Sequence, residues 1–371
     1  LIDTVQRQLI SDVPLCTLLS GGLDSSALTA IAAQYYEQHH LGKLHTYSVD
    51  YKDHNRHFQS SDFTPNPDAP WIDRMSEYFG TEHRHIEIDT PELTESLQAA
   101  VDARDTPGMA DIDSSLYLFC GKMKQGATVA LSGEAADEIF GGYPWFYRDE
   151  ALQASTFPWS LHLQTRTDLL NPEFIEWIKP KQYIAERYEE ALNEVPLLPE
   201  EKRNHTKRRM REMSYLNITR FMPTLLDRKD RMSMAVGLEV RVPFCDHRLI
   251  EYVWNIPWEI KTVGEREKGI LRRALHGILP EDVLYRKKSP YPKTHHPTYL
   301  QAVKRLLLDI LDDSSAPIHE FVNEEKLRSM AASEDHTFDT PWFGQLMNTP
   351  QLFAYLYQVD YWLRKYRIQV K

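Results

Sequence analysis

Cysteine is scarce in this sequence of 371 residues, which holds only Cys16, Cys120 and Cys245. Because these three are isolated from one another and odd in number, the sequence indicates neither a disulfide framework nor a cysteine-based metal site, and a reduced, cytoplasmic setting is expected. Long apolar runs are also missing. No stretch approaches the roughly 18 residues of a membrane span, and no signal-peptide pattern opens the chain, so we predict no membrane association.

An excess of positive charge is absent as well. Lysine and arginine number 43 against 54 aspartates and glutamates, a net charge of −11, which argues against nucleic acid as a partner. Signatures of a cysteine nucleophile, a Ser-His-Asp triad or an H-E-x-x-H metal site are not found. What is present is the composition of a globular protein, with 42% hydrophobic and 26% charged residues, in a length sufficient for about two domains.

The stretch LLSGGLDSSAL, residues 18–28, lies between a short apolar run and a helical pattern. The apolar residues at 14–19 predict a buried strand, and the apolar spacing after residue 22 predicts that the glycines lie at the start of a helix. A helix start offers free N–H groups and the positive end of the dipole, and therefore an anion site. A plainer alternative is that Ser20 caps the helix and the glycines only let the chain turn.

Asp24 favours a ligand more elaborate than a lone anion. A carboxylate in the first turn would repel a bound phosphate unless a divalent cation lay between them, so the loop points to a magnesium nucleotide with several phosphates. The lysine of a Walker A loop is absent, whereas Ser25 and Ser26 add hydroxyl donors. The loop is therefore not built like that of a P-loop NTPase.

A second stretch, ATVALSGEAADEIFGGY at residues 127–143, repeats this arrangement. A predicted strand ends in serine and glycine, and the carboxylates of Glu134, Asp137 and Glu138 follow. Acids this close raise one another's pKa unless a metal or cationic groups offset them. Alternatively, Glu134 and Glu138 only line a helix N-terminus, where negative charge is favourable. Because parallel strands end at the same edge of a sheet, we expect the two loops to meet.

Strand-like runs and helical patterns alternate over the first part of the chain, which is typical of a parallel sheet covered by helices. We predict strands at 14–19, 44–49, 83–88 and 127–132 and helices at 24–38, 69–80, 91–103 and 114–125. Residues 50–70 are predicted to form a loop after the second strand, at the ligand-binding edge of the sheet. Further helices are predicted at 181–194, 203–222 and 298–312. The fold class is therefore α/β, with a parallel-sheet domain over residues 1–150 and a mainly helical region over 151–371.

Both loops carry a family resemblance. The first resembles the SGGxDS pyrophosphate loop of the N-type ATP pyrophosphatases, and with S-G-E-x-x-D-E-x-F-G-G-Y it looks like the synthetase domain of B-type asparagine synthetases, from about Leu9 to the region of Arg286. Most members have glycine where this chain has Ala135, and we expect only a slight backbone adjustment. The resemblance implies a PP-loop domain of the adenine-nucleotide α-hydrolase-like class over residues 1–150. The helical region after it would complete the site.

The resemblance also implies roles for particular residues. Glu134 would accept a proton as ammonia attacks, and Lys268, within REKGILRRAL, would stabilise charge on the α phosphate and the departing pyrophosphate. Asp24 and Asp137 would hold Mg²⁺. The residues implied for ATP and pyrophosphate are Leu19, Ser20, Gly21, Gly22, Asp24, Ser25, Ser26, Val49, Ser132 and Gly133.

Two stretches after residue 200 add to this. DRMSMAVGLEVRVPFCDHRL, residues 230–249, resembles the family's second-domain segment, with Arg231, Glu239 and Arg241 in the matching positions. These three are candidate substrate-binding residues. The basic run over residues 202–211 is interleaved with glutamates, and we expect it to be a solvated helix face rather than an RNA contact.

The resemblance implies a reaction in two steps. The side-chain carboxylate of aspartate attacks the α phosphate of ATP, which forms β-aspartyl-AMP and releases pyrophosphate. Ammonia then displaces AMP and gives asparagine. Family members usually carry an N-terminal glutaminase domain; nothing in this chain, which begins with Leu1, corresponds to it, and we expect one upstream. A homodimer is left open. So are an adenylating synthetase that forms a β-lactam or cyclises a peptide, and an ATP-binding protein without turnover.

Overall fold

Five parallel strands form the centre of the fold in this computed structural model, which describes residues 1–58, 66–333, 341–344 and 346–369. The strands lie in the order β3-β2-β1-β4-β5, and every neighbouring pair is parallel. Their bounds are β1 Leu15–Leu18, β2 His45–Tyr51, β3 Glu82–Ile88, β4 Val129–Leu131 and β5 Glu239–Arg241. The predicted α/β class with a parallel sheet is confirmed.

Helices connect the strands and continue after them. In the first part of the chain they are α1 Ile2–Gln8, α2 Leu23–Gln38, α3 His54–His57, α4 Ala69–Phe79, α5 Thr90–Glu95, α6 Leu97–Arg104, α7 Asp111–Lys124 and α8 Ala136–Phe140. They continue with α9 Asp149–Gln153, α10 Leu163–Thr167, α11 Pro172–Ile178, α12 Pro180–Asn193, α13 Pro199–Lys202, α14 His205–Leu216, α15 Met222–Met234, α16 His247–Trp254, α17 Trp258–Lys261, α18 Gly269–Ala274, α19 Glu281–Leu284, α20 Pro297–Asp312, α21 Glu324–Ala332 and α22 Thr349–Lys365. Among these, no helix is long and apolar enough to cross a membrane.

Most predicted elements are present within a few residues of their predicted ends. The exceptions are instructive. The helix predicted at 91–103 is two helices, α5 and α6, separated at Ser96, and the predicted loop at 50–70 contains the short α3. Residues 59–65 of that loop lie outside the described part of the chain.

Strand β5 was missed because it is short, charged and only partly buried. Its three residues pair with β4, Glu239 opposite Val129 and Arg241 opposite Leu131. A strand of three residues at a sheet edge shows neither an apolar run nor a clear alternation. Its place in the sheet is therefore set by the pairing with β4 and not by its own sequence.

Successive strand residues point to opposite faces and fill two cores. In β1, Cys16 belongs to the core cluster that also holds Tyr299 of α20 and Phe353 of α22. Leu15 belongs to the other cluster, with Leu28 of α2. This alternation is the two-residue period of a strand buried on both faces. The segment 151–371 thus shares a core with the first 150 residues and adds a strand to their sheet.

The basic run over residues 202–211 is only partly the solvated face that we expected. Lys202, Arg203, Lys207 and Arg208 are exposed, as predicted, but two arginines of α14 are not. Arg209 and Arg211 are both buried. Arg209 donates to the carbonyl oxygens of residues 151, 152 and 154, and Arg211 pairs with Glu201 at 2.8 Å. The expectation fails at these two arginines because planar guanidinium groups can donate to several acceptors at once, which offsets the cost of their burial.

Candidate active site

A cavity of about 260 Å³ opens at the carboxyl ends of β1, β2 and β4. The strand order reverses between β1 and β4, because the chain runs from β1 outwards to β3 and then returns to place β4 on the other side. The loops after β1 and β4 diverge at such a point and leave a crevice, which is where ligands bind in open α/β sheets. The loop that follows residue 285 covers the cavity from the side, through residues 286–292.

The two loops singled out in the sequence touch each other at this crevice. A Cβ built on Gly133 would lie 3.0 Å from the backbone nitrogen of Ser25 and 3.1 Å from the carbonyl carbon of Asp24. Gly21 has a φ of +65°, and a Cβ there would lie 2.5 Å from the Cβ of Trp71. Glycine is therefore required at Gly21 by both the backbone conformation and the contact with Trp71, and it is favoured at Gly133 by the close approach of the two loops.

The start of α2 is open for an anion. Its N-cap is Gly22, which has no side chain to cap the helix, and the Gly22 N–H donates to the Ser20 hydroxyl at 3.4 Å. The hydroxyl of Ser20 lies 3.0 Å from that of Ser25, and the Ser25 hydroxyl also donates to the Gly22 carbonyl at 3.2 Å. Ser20 therefore does not cap α2 through the usual N-cap contact. The first N–H groups of the helix stay available beside the cavity.

Lys268 joins the two loops. Its Nζ lies 2.9 and 2.7 Å from the two carboxylate oxygens of Asp24 and 2.7 Å from Oδ1 of Asp137, and its side chain is only 3% exposed. Lys288 lies 2.5 Å from the other oxygen of Asp137. Burial alone would raise the pKa of Asp137, but Lys268 and Lys288 outweigh it and hold this pKa well below its usual range. Burial alone would lower the pKa of Lys268, but the two aspartates outweigh it and raise this pKa.

Glu138 is the buried acid of the second loop. Its Oε1 accepts a hydrogen bond from the Tyr143 hydroxyl at 2.7 Å. Burial raises the pKa of Glu138 to about 7, and the nearby charge of Asp137 adds to the effect. The three acids of this loop therefore have different surroundings, since Asp137 is paired with lysines and Glu138 with a phenol.

Glu134 faces two cations across the cavity. Its Oε1 lies 3.4 Å from Nη2 of Arg228 and 3.3 Å from Nζ of Lys229. Its Oε2 is buried and accepts no hydrogen bond from the described residues. A carboxylate with one paired and one open oxygen can accept a further N–H donor without losing its counter-charge.

Ala135 keeps a conformation that suits glycine. Its φ is +74° and its ψ is −14°, so the left-handed turn between β4 and α8 is retained. The slight backbone adjustment expected at this position stays a prediction. Because an L-residue with a Cβ costs roughly 1–2 kcal/mol in this region, the turn carries local strain next to Glu134.

Comparison with known proteins shows the family to which this chain belongs. A family model described as asparagine synthase matches residues 1–364. The chain belongs to the asparagine synthase family. It is 52% identical over 368 residues to asparagine synthetase [glutamine-hydrolyzing] 3 of Bacillus subtilis (strain 168), covering 99% of this chain and 59% of that relative. Identity is 31% to asparagine synthetase [glutamine-hydrolyzing] 1 of the same organism, over 78% of this chain and 48% of the relative, and 23% to the Rattus norvegicus asparagine synthetase [glutamine-hydrolyzing], over 98% and 54%.

The chain thus spans between about half and three fifths of the length of these asparagine synthetases. Most of the residues that the family resemblance implies for the site line the cavity. They are Leu19, Ser20, Gly22, Asp24, Ser25, Val49, Ser132, Gly133, Glu134, Asp137 and Lys268. Gly21 lies behind the loop, where it shapes the turn. Ser26 is fully buried, and its N–H donates to the Gly22 carbonyl within α2. Their individual roles stay predictions.

The three candidate substrate-binding residues of the asparagine synthase resemblance are not brought to the cavity. Arg231 is half exposed and pairs with Asp227. Arg241 donates to the carbonyl oxygens of Gln8 and Ile10 at 2.6 and 2.7 Å, and its Nε pairs with Glu239. The resemblance to the family segment could not show in which direction these three side chains point. Residues 239 and 241 lie on edge strand β5, and the Arg241 side chain reaches the end of α1.

Several cavity residues escaped the sequence analysis. They are Arg228 and Lys229 of α15 together with Arg286, Lys288 and Tyr291 of the covering loop. Arg286 donates to the Ser20 carbonyl at 3.0 Å and pairs with Asp68. The basic run RKK at 286–288 was the available signal. Arg272 also lines the cavity, and its guanidinium pairs with Glu267.

Proposed function

We propose that this chain carries out the synthetase half of asparagine synthesis. The side-chain carboxylate of aspartate attacks the α phosphate of ATP, which gives β-aspartyl-AMP and pyrophosphate. Ammonia then attacks the acyl carbon, and asparagine and AMP leave. The observation that carries the proposal is the contact between Gly133 and the Asp24–Ser25 backbone at the point where strand order reverses, since one triphosphate there touches both loops.

The phosphate-binding part of the proposal rests on α2 and its loop. The open N–H groups at the start of α2 and the hydroxyls of Ser20 and Ser25 face the cavity. Backbone N–H groups with the positive end of a helix dipole suit the β and γ phosphates. Leu19 and Val49 line the same cavity and offer apolar surface to the adenine.

Asp24 and Asp137 are the candidate ligands for a divalent cation. They share one ammonium, with both carboxylates within 2.9 Å of Lys268 Nζ, so their oxygens already converge on a single positive charge. Mg²⁺ is usually bound by one or two carboxylates together with substrate phosphates. We propose that these two residues would hold Mg²⁺, which when bound neutralises part of the phosphate charge.

Lys268 and Glu134 would act on the reacting atoms. Lys268 stabilises the negative charge that grows on the α phosphate and on pyrophosphate, as a cation already held beside the phosphate loop. Glu134 accepts a proton from the attacking ammonia through its open Oε2, while Arg228 and Lys229 keep Oε1 in place. A base within hydrogen-bond reach of its proton is the geometric requirement for this role.

The source of ammonia is proposed from the relatives, whose names describe them as glutamine-hydrolysing. In the full-length protein, a glutaminase domain would supply ammonia, whereas this chain by itself would use free ammonia. A cytoplasmic location and a homodimer stay predictions.

One assay tests the proposed function. The protein is incubated with MgATP, aspartate and ammonium, and AMP, pyrophosphate and asparagine are quantified, with glutamate and β-alanine replacing aspartate in parallel. Stoichiometric AMP, pyrophosphate and asparagine are expected only with aspartate. ADP and phosphate as products, or no nucleotide turnover in a folded sample, would contradict the proposal. AMP and pyrophosphate with a different carboxylate would favour the other adenylating synthetases.

A further inference from the structure

Two cations of α15 line the cavity away from the phosphate loop. Arg228 and Lys229 have side chains only 5% and 4% exposed, and both line the cavity. Lys268 and Lys288 pair with the aspartates of the phosphate loops, whereas Arg228 and Lys229 approach Glu134. The cavity therefore has two cationic groups with different neighbours.

The carboxylates near the second group are shared among several cations. Arg228 and Lys229 share a single carboxylate oxygen, Oε1 of Glu134, at 3.4 and 3.3 Å. Asp113 lies 3.9 Å from Nε of Arg228, but its other oxygen already accepts from the Met109 N–H at 2.9 Å and faces Arg104. A buried ammonium costs free energy unless it is paired and hydrogen-bonded.

Lys229 is the less committed of the two. Arg228 is also held by Sδ of Met109 at 3.5 Å and lies over the Tyr291 ring at 5.8 Å. For Lys229, within the described residues, the Glu134 contact is the ion pair that the structure shows. An ammonium has three donors, so this side chain has capacity for an anionic ligand in the cavity.

We propose that Lys229, with Arg228 beside it, binds the carboxylate of the substrate that is not adenylated. This inference rests on the proposed function and assigns a specificity-determining residue to it: one carboxylate of the substrate is presented to the α phosphate and the other to Lys229. The ion pair is sheltered from water, so it discriminates against acids that lack the second carboxylate. The alternative is that Lys229 only holds Glu134.

Binding measurements separate these two roles without requiring turnover. The dissociation constants of aspartate and of β-alanine, which is aspartate without its α-carboxylate, are measured by calorimetry in the presence of Mg²⁺ and α,β-methylene-ATP. The variants are Lys229→Met, Lys229→Arg and, as a matched control, Lys181→Met, an exposed lysine of α12. Circular dichroism and the dissociation constant of the ATP analogue report whether each variant is folded.

We expect Lys229→Met to weaken aspartate binding by about tenfold or more, the usual loss for a hydrogen bond to a charged group. Binding of β-alanine and of the ATP analogue should not change, Lys229→Arg should recover most of the aspartate affinity, and Lys181→Met should match the wild type. Unchanged aspartate binding in a folded Lys229→Met, or an equal loss for both amino acids, would overturn the inference. Failure of the proposed function would give a different result, because the wild type would then release no AMP and pyrophosphate with any amino acid.

Discussion

Replacement of Lys268 by methionine tests the centre of the site. Methionine keeps much of the side-chain volume and removes the charge that Asp24 and Asp137 share at 2.7–2.9 Å. Loss of one preorganised group that stabilises transition-state charge typically lowers kcat by about 10² to 10³-fold, which is about 2.7–4 kcal/mol. We expect a fall of at least 10²-fold in AMP formation at saturating MgATP and aspartate.

The same substitution changes stability in a pH-dependent way. Removing one partner of a buried ion pair costs about 3–5 kcal/mol, and we expect the lower end because Lys288 remains on Asp137. A domain with about 5–15 kcal/mol of stability stays folded after such a loss. Rates at 25 °C therefore report chemistry rather than unfolding, and Lys268→Arg, which keeps the charge, is the control.

The sign of the pH effect follows from the carboxylates. In the wild type the pKa of Asp137 is lowered, so its stabilisation is present above the unfolded pKa of about 4 and is lost as the pH falls through the folded value. Burial raises the pKa of Asp24 although Lys268 opposes this shift, so loss of Lys268 raises it further. Without Lys268, the two aspartates disfavour each other's ionised form. The stability difference between wild type and Lys268→Met, measured by urea unfolding, should therefore be larger at pH 7 than at pH 4. A difference independent of pH, or near-normal kcat in a folded variant, would refute the reasoning.

Three other substitutions act on the second loop. Glu134→Gln should block asparagine formation while ATP–pyrophosphate exchange persists, because the base acts only when ammonia attacks; exchange and synthesis lost together would contradict this. Ala135→Gly should raise the free energy of unfolding by about 1 kcal/mol, since its φ of +74° is costly for an L-residue; a destabilised variant would count against it. Gly133→Ala should lower kcat/KM for ATP by about tenfold, because its Cβ would lie 3.0 Å from the Ser25 nitrogen and would push the loops apart by a few tenths of an ångström, less than the roughly 1 Å misplacement that costs about 10²-fold in rate; an unchanged kcat/KM would show that the loops accommodate the methyl group.

Four strands and the two loops could be predicted from the sequence because apolar runs and glycine turns are patterns of neighbouring residues. The four predicted strands end within about two residues of β1 to β4, and the glycines and acids after β1 and β4 mark the ligand edge. The same reasoning failed at β5, whose three partly buried residues carry no period. It also failed at Arg209, because burial by carbonyl acceptors leaves no trace in the spacing of a basic run.

The direction in which a side chain points was the second property that could not be predicted from the sequence. Arg241 matched a family position, yet it donates to carbonyl oxygens near the end of α1. Lys229 matched no site pattern, yet it reaches Glu134 in the cavity. A single α15 helix carries Lys229 to the cavity and Arg231 to the surface, since residues two apart point to different sides of a helix.

The amino-acid sequence by itself determined which chemical groups are available and where the parallel strands end, because glycine turns, strand periodicity and helix starts are properties of neighbouring residues. Only the tertiary structure decided which groups share charge. Lys268 meets Asp24 across 244 residues of chain and Asp137 across 131, and Lys229 reaches Glu134 from another helix. Such pairs form because strand order brings distant loops to one crevice, where burial makes every unpaired charge costly.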